Sequence, residues 1–208
     1  MPAINRRTLI RALLGIPILG ALLVWLNPLL RFVKPTTGPG ELAPAPERPI
    51  SEPLVVGSLD EIAEPWSHKE FVYLQETPEY TLARTQRSEV PGFVVRLPDT
   101  APGIEVTRPD GSTAKILVVS RICPHLGCIF QYVTNVERIR TFYQHPRAEE
   151  RPHFGCPCHL SVYDLLQTQV IDGRPVQGRV VAGPSPRPPR GFTFTVHSDQ
   201  VIVTGVEG

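Results

Sequence analysis

The sequence lacks a dominant charge. Its 21 Lys and Arg are met by 20 Asp and Glu, for a formal net charge of +1. No basic block or stripe runs through it, so nothing in it calls for nucleic acid as a partner. It also lacks any pattern of strands alternating with long amphipathic helices, which argues against a parallel α/β layout. There is no internal repeat beyond a pair of short Cys/His stretches, and only four cysteines and one methionine are present. What the chain has in excess is proline, 24 in 208 residues. Proline at that level means either a β domain with ordered loops or a disordered tract, and position along the chain decides between them. The length suffices for one domain plus an anchor or arm, or for two small domains.

Near the N-terminus, residues 12–30 read ALLGIPILGALLVWLNPLL without a charge. As a helix this stretch reaches about 28 Å, close to the thickness of a bilayer's hydrocarbon core. Pro17 and Pro28 would kink such a helix without forbidding it in lipid, and Trp25 falls near the distal interface. A cleaved secretory signal needs a shorter apolar core and a small-x-small site; Ala43-Pro44-Ala45 lies well past the run and precedes Pro46. A core helix of a domain this small would ordinarily keep a polar face, and none exists here, so that reading is the less favoured one. The expectation is a transmembrane anchor over residues 12–33. Before it, within residues 1–11, NRRTLIR resembles a twin-arginine export signal at Arg6-Arg7. The plainer reading is a positive flank, although Arg31 and Lys34 beyond the span leave little charge bias. Twin-arginine export carries proteins already folded, which suits a chain that receives a cofactor in the cytoplasm and works outside. The expected location is a bacterial plasma membrane, crossed once, with the head on the extracytoplasmic side. Residues 34–53, rich in Pro with Gly38 and Gly40 between, form an extended linker, either a passive spacer or a hinge.

From residue 54 to 208 short apolar runs alternate with turn residues. PLVVGSL, FVYL, PGFVVRL, AKILVVS, GFTFTVHS and QVIVTG read as strands. Pro109-Asp110-Gly111 and the HSDQ stretch mark turns. The fold class expected is an all-β head domain on an N-terminal transmembrane helix.

All four cysteines lie in two hexamers, CPHLGC at 123–128 and CPCHLS at 156–161. Structural zinc takes four ligands, and this set offers six. Two plain disulfides would leave His125 and His159 at matching places without a role. A catalytic cysteine is a third use, although no single thiol stands out.

CPHLGC and CPCHLSVYD resemble the two cluster-binding loops of the Rieske iron–sulfur proteins, written C-T-H-L-G-C and C-P-C-H-G-S-x-Y-D. Order and internal spacing agree, and so does the plan of anchor, tether and β head. GPSPRPP at 183–189 is similar to the Gly- and Pro-rich loop that covers the cluster in that family, though alone it reads as a rigid surface turn. The resemblance implies antiparallel sheets with a cluster-binding subdomain at about 120–190. It also implies one 2Fe-2S cluster, with Cys123 and Cys156 on one iron, His125 and His159 on the other, and a Cys128–Cys158 disulfide between the loops. Ser161 and Tyr163 map onto hydroxyl donors to a bridging sulfide and to a cysteine sulfur, and His159 onto the histidine that faces quinol. Three departures stand out: Pro124 replaces Thr, Leu160 replaces Gly, and residues 129–155 make a long spacing between the loops. If the position of Leu160 needs a positive φ, a Leu there is strained; near an exposed histidine, its side chain could also shape a quinone or partner contact. The charged run 136–153 reads as a surface excursion, and His68, His145, His153 and His197 as solvated histidines.

Replacing two thiolates by neutral imidazoles raises the potential of such a centre from about −400 mV to roughly −150 to +300 mV. That range suits a quinol donor. The implied function is an electron-transfer subunit of a quinol–cytochrome c oxidoreductase of the cytochrome bc type, with a cytochrome b subunit, a c-type cytochrome and membrane quinol as partners. Two rivals remain: the small Rieske subunit of an arsenite-oxidase-like molybdenum enzyme, and a zinc-holding binding module. A Rieske oxygenase needs a mononuclear iron domain for which this length leaves no room.

Overall fold

A computed structural model describes residues 5–7, 51–79 and 84–207. The chain divides into two units, Met1–Pro46 and Glu47–Gly208, and the second contains every element that follows. The expected anchor at 12–33 and most of the tether lie outside the described residues, as does the twin-arginine-like segment apart from residues 5–7. Among the described residues no helix is long and apolar enough to cross a membrane.

The strands in chain order are β1 (Leu54–Ser58), β2 (His68–Glu79), β3 (Arg84–Leu97), β4 (Ile104–Thr107), β5 (Thr113–Ser120), β6 (Gln131–Val133), β7 (His153–Gly155), β8 (Val162–Ile171), β9 (Arg174–Ala182), β10 (Phe192–His197) and β11 (Gln200–Val206); among the described residues of this unit there are also a short 3-10 helix at Asp60–Ile62 and an α-helix, α1 (Val136–Thr141). They make three antiparallel sheets: β1-β11-β10, β2-β3-β5-β4 and β6-β7-β8-β9. The expected all-β head is therefore what the chain forms.

The middle sheet explains why β3 and β5 read as unbroken apolar runs. Alternate side chains of a strand face opposite ways, and here both faces are covered. Val94, Ile116 and Val118 pack with Val56, Phe192, Val201 and Val203 of the first sheet. Their neighbours Phe93, Val95, Leu117 and Val119 pack with Phe130, Phe154, Tyr163 and Leu165 on or beside the third. Strands buried on both faces lose the polar alternation that marks a half-exposed sheet. Cys123 and Cys156 sit in that second core, so the cysteine loops are rooted in the packing between sheets.

The run 136–153 is more than a surface excursion. Asn135 caps α1 by accepting from the Arg138 N–H at 3.2 Å. Val136, Ile139, Tyr143 and Ala148 then turn inward and build a small third core with Val133 and Val162. The charges of Glu137, Arg138, Glu149 and Glu150 remain exposed. His153 is a correction to the reading of solvated histidines: it lies in β7 and is 1% exposed.

Candidate metal centre

The first loop leaves β5 and returns into β6, pinched by a bridge between Ile122 and Ile129. Inside it the Cys123 N–H donates to the Cys128 carbonyl at 2.8 Å and the Gly127 N–H to the Cys123 carbonyl at 2.9 Å. Gly127 has φ 78, a conformation glycine takes without the Cβ clash. The second loop joins β7 to β8 and is closed by the Cys156 N–H donating to the Ser161 carbonyl at 2.8 Å. Leu160 there has φ 59. The position does use the left-handed region, and a Leu occupies it where glycine would be at ease.

A disulfide joins the two loops through Cys128 and Cys158, whose Cα atoms are 6.6 Å apart. Cys123 and Cys156 are free and buried. The sulfurs of Cys128, Cys156 and Cys158 lie within 4.8 Å of one another, but two of these are spent on each other. The donors left over are Cys123, Cys156, His125 and His159. The two imidazoles meet edge to face with ring centroids 4.7 Å apart. His125 Nδ1 is buried and has no hydrogen-bond partner among the described residues. His159 is exposed, and Leu126, beside His125 in sequence, is 68% exposed. Burial pushes the Cys156 thiol up, while the Cys158 and His159 N–H groups directed at its sulfur oppose this.

The flanking hydroxyls are held by β8 and by the third loop. Tyr163 is fully buried, with its hydroxyl 3.0 Å from Cys123 Sγ. Burial raises the pKa of this phenol far enough to keep it neutral. Ser161 is equally buried, and its Oγ accepts from the Ser185 N–H at 3.2 Å. Ser185 belongs to the 183–189 loop. Gly183, with φ 82, packs so closely on the second loop that a Cβ there would meet Ser161 Cα at 2.5 Å and the Leu160 carbonyl oxygen at 2.7 Å.

The sheet behind the loops carries a buried ion pair. Arg151 Nη2 lies 2.6 Å from Asp164 Oδ2, and Asp164 also accepts from the Leu166 N–H and from Gln167 Nε2. Burial alone would raise the Asp164 pKa, but Arg151 and the Leu166 N–H outweigh it and hold the carboxyl below its ordinary range. A cavity of about 300 Å³ lined by Ile104, Val118, Pro175 and Phe194 takes in no residue of either loop. The chemistry-bearing side chains are therefore apart from that cavity and reach outward through His159.

Sequence reading missed Tyr143. Its ring, 1% exposed, lies against Gly155, and its hydroxyl donates to the Gly155 carbonyl at 3.2 Å. The helix-like spacing of Val136, Ile139 and Tyr143 was the available signal, although α1 itself stops at Thr141.

The family model of the Rieske [2Fe-2S] domain matches residues 94–184, a span that includes both Cys/His loops and Gly183. The chain is also similar to the soluble domain of the Rieske protein II (soxF) from Sulfolobus acidocaldarius, with 21% identity, 79% of this chain and 80% of that chain covered, and a TM-score of 0.39. Among curated proteins none matches. Read together with the paired loops, the family match establishes that the chain carries a Rieske [2Fe-2S] domain, whose cofactor is one 2Fe-2S cluster.

Proposed function

We propose that the chain is the Rieske subunit of a membrane quinol oxidase of the cytochrome bc type, taking electrons from quinol and passing them to a c-type cytochrome or a comparable acceptor. Cys123, Cys156, His125 and His159 fit the cluster as ligands: two buried free thiols, two imidazoles in contact, and an orphaned Nδ1 on His125 that a metal would satisfy. When bound, a cluster with such mixed ligation supplies a one-electron couple in the range of roughly −150 to +300 mV. The protein does the rest. The Cys128–Cys158 bridge holds the two ligand loops against each other. Toward a thiolate at Cys123, Tyr163 can only donate its hydrogen bond. Ser161 has its oxygen engaged by the Ser185 N–H, which leaves its own proton free to donate.

The observation that carries the quinol reading is the placement of His159, exposed at the loop tip while its partner His125 is half-buried. An exposed imidazole bound through one nitrogen keeps the other for a hydrogen bond from a quinol hydroxyl, and can take that proton as the electron leaves. The exposed Leu126 offers an apolar contact beside it. On this reading residues 12–33 anchor the head to the membrane and the Pro-rich 34–53 stretch lets it move between donor and acceptor.

Low-temperature EPR with a potential titration on native membranes, together with haem and molybdenum analysis of the purified complex, tests the proposal. Expected are a Rieske signal, and b- and c-type haems that co-purify with the chain. Co-purification with a molybdopterin subunit instead would replace quinol oxidation by the molybdenum-enzyme role. Zinc in place of iron would remove electron transfer altogether.

A further inference from the structure

Residues 129–155 take no part in the chemistry proposed above, yet they pack at both ends of the second loop, on Gly155 where it leaves β7 and on Leu160 near its return to β8. Just before Cys156, Tyr143 covers Gly155 so tightly that a Cβ at Gly155 would lie 2.5 Å from the ring, and the Tyr143 hydroxyl donates to the Gly155 carbonyl. Just after His159, Leu160 packs on the core of Val133, Val136, Ile139, Tyr143, Ala148 and Val162. A Leu at φ 59 is disfavoured, and such a conformation persists where the surroundings over-determine it. The surroundings that hold it here include that same core.

We propose that the insertion is a brace: with Tyr143 on Gly155 and its small core under Leu160 it grips the loop at its two ends and fixes the span from Cys156 to His159. Tyr143 and Leu160 are positioning residues, and their role rests on the reading of Cys156 and His159 as cluster ligands. A loop gripped at both ends keeps its shape before iron arrives. It also limits how far a sulfur ligand and a nitrogen ligand on one short segment drift apart when the charge of the centre changes.

The test compares the full-length wild type in detergent with Tyr143→Phe, Leu160→Gly and Arg147→Ala, the last being an exposed residue of the same run outside the small core. Amide hydrogen exchange of residues 156–161 is read on iron-free chain; EPR line width and the rate of iron loss to a chelator are read on loaded chain. Leu160→Gly is expected to speed loop exchange tenfold or more and Tyr143→Phe several-fold. Both should broaden the signal and hasten iron loss, with exchange in β3 and β5 unchanged; Arg147→Ala should do neither. Tyr143→Phe keeps the buried ring, so it tests the grip even if the glycine variant folds poorly. Wild-type exchange rates and wild-type iron retention in both core variants would overturn the brace. A wild type that binds no cluster would instead sink the ligand assignment, and the iron-free exchange arm would still decide whether the grip exists.

Discussion

Ser161 and Tyr163 have hydroxyls fixed from different directions, one by the Ser185 N–H and the other by contact with Cys123 Sγ. Each is placed to stabilise added negative charge at the centre. Losing one such bond is worth about 0.5–1.5 kcal/mol, and for one electron about 59 mV corresponds to 1.4 kcal/mol. Ser161→Ala and Tyr163→Phe should therefore each lower the midpoint potential by roughly 20–60 mV in an EPR-monitored titration; an unmoved potential would take that hydroxyl out of the site. Gly183 presents a steric case. A methyl group there meets backbone at 2.5 Å with φ 82, so Gly183→Ala should cost about 2 kcal/mol or more, read as a lowered thermal midpoint. A neutral result would mean that the 183–189 loop lifts off easily. At this scale the sequence was most legible, because paired Cys and His at fixed spacing have few uses. The burial of His153 was not legible: a histidine inside a charged run looks solvated until its strand is known, and β7 has only three residues.

The two cysteine loops belong to different strand connections, and a single covalent bridge ties them. Closing such a loop contributes about 2–4 kcal/mol. Cys128→Ser, or reduction of the bridge, should lower the thermal midpoint accordingly and speed cluster loss, followed by the fading of the visible absorbance. Unchanged stability after verified reduction would shift the burden to the packing around Cys123 and Cys156. The longer strands were visible as apolar runs, among them β3, β5, β10 and β11. The sheet behind the site was largely hidden. β6 and β7 span three residues each, too short for a period to show. The β8–β9 hairpin did leave a trace, since Asp172-Gly173 takes positive φ at both positions, the Asp-Gly signature of a two-residue turn. The third core was masked because charges outnumber Val136, Ile139 and Tyr143 in the same run, although their helical spacing was there to be read.

Across the whole head, stability should fall on acidification in two stages. Burial lowers the His153 pKa, so the unfolded chain takes up its proton first as pH drops below about 6.5. That contribution is present above this value and is lost on the way down. The Asp164 carboxyl is held below its ordinary range chiefly through Arg151, against the effect of burial. Its contribution is intact above about pH 4 and disappears as pH falls through the folded pKa. Thermal midpoints measured from pH 7.5 to 3.5 should decline over both windows, and His153→Phe should flatten the first. A profile level down to pH 4 would contradict the burial of His153. Three sulfurs within 4.8 Å of one another carry a different kind of consequence, one for biosynthesis. An oxidant that meets the nascent site before iron finds Cys156 beside both members of the bridge, and with Cys156 as a ligand, as proposed, any mispairing there would remove a thiolate that the cluster needs. On the ligand set proposed above, manufacture would have an order: metal first, under reducing conditions, and the covalent seal only under oxidising ones.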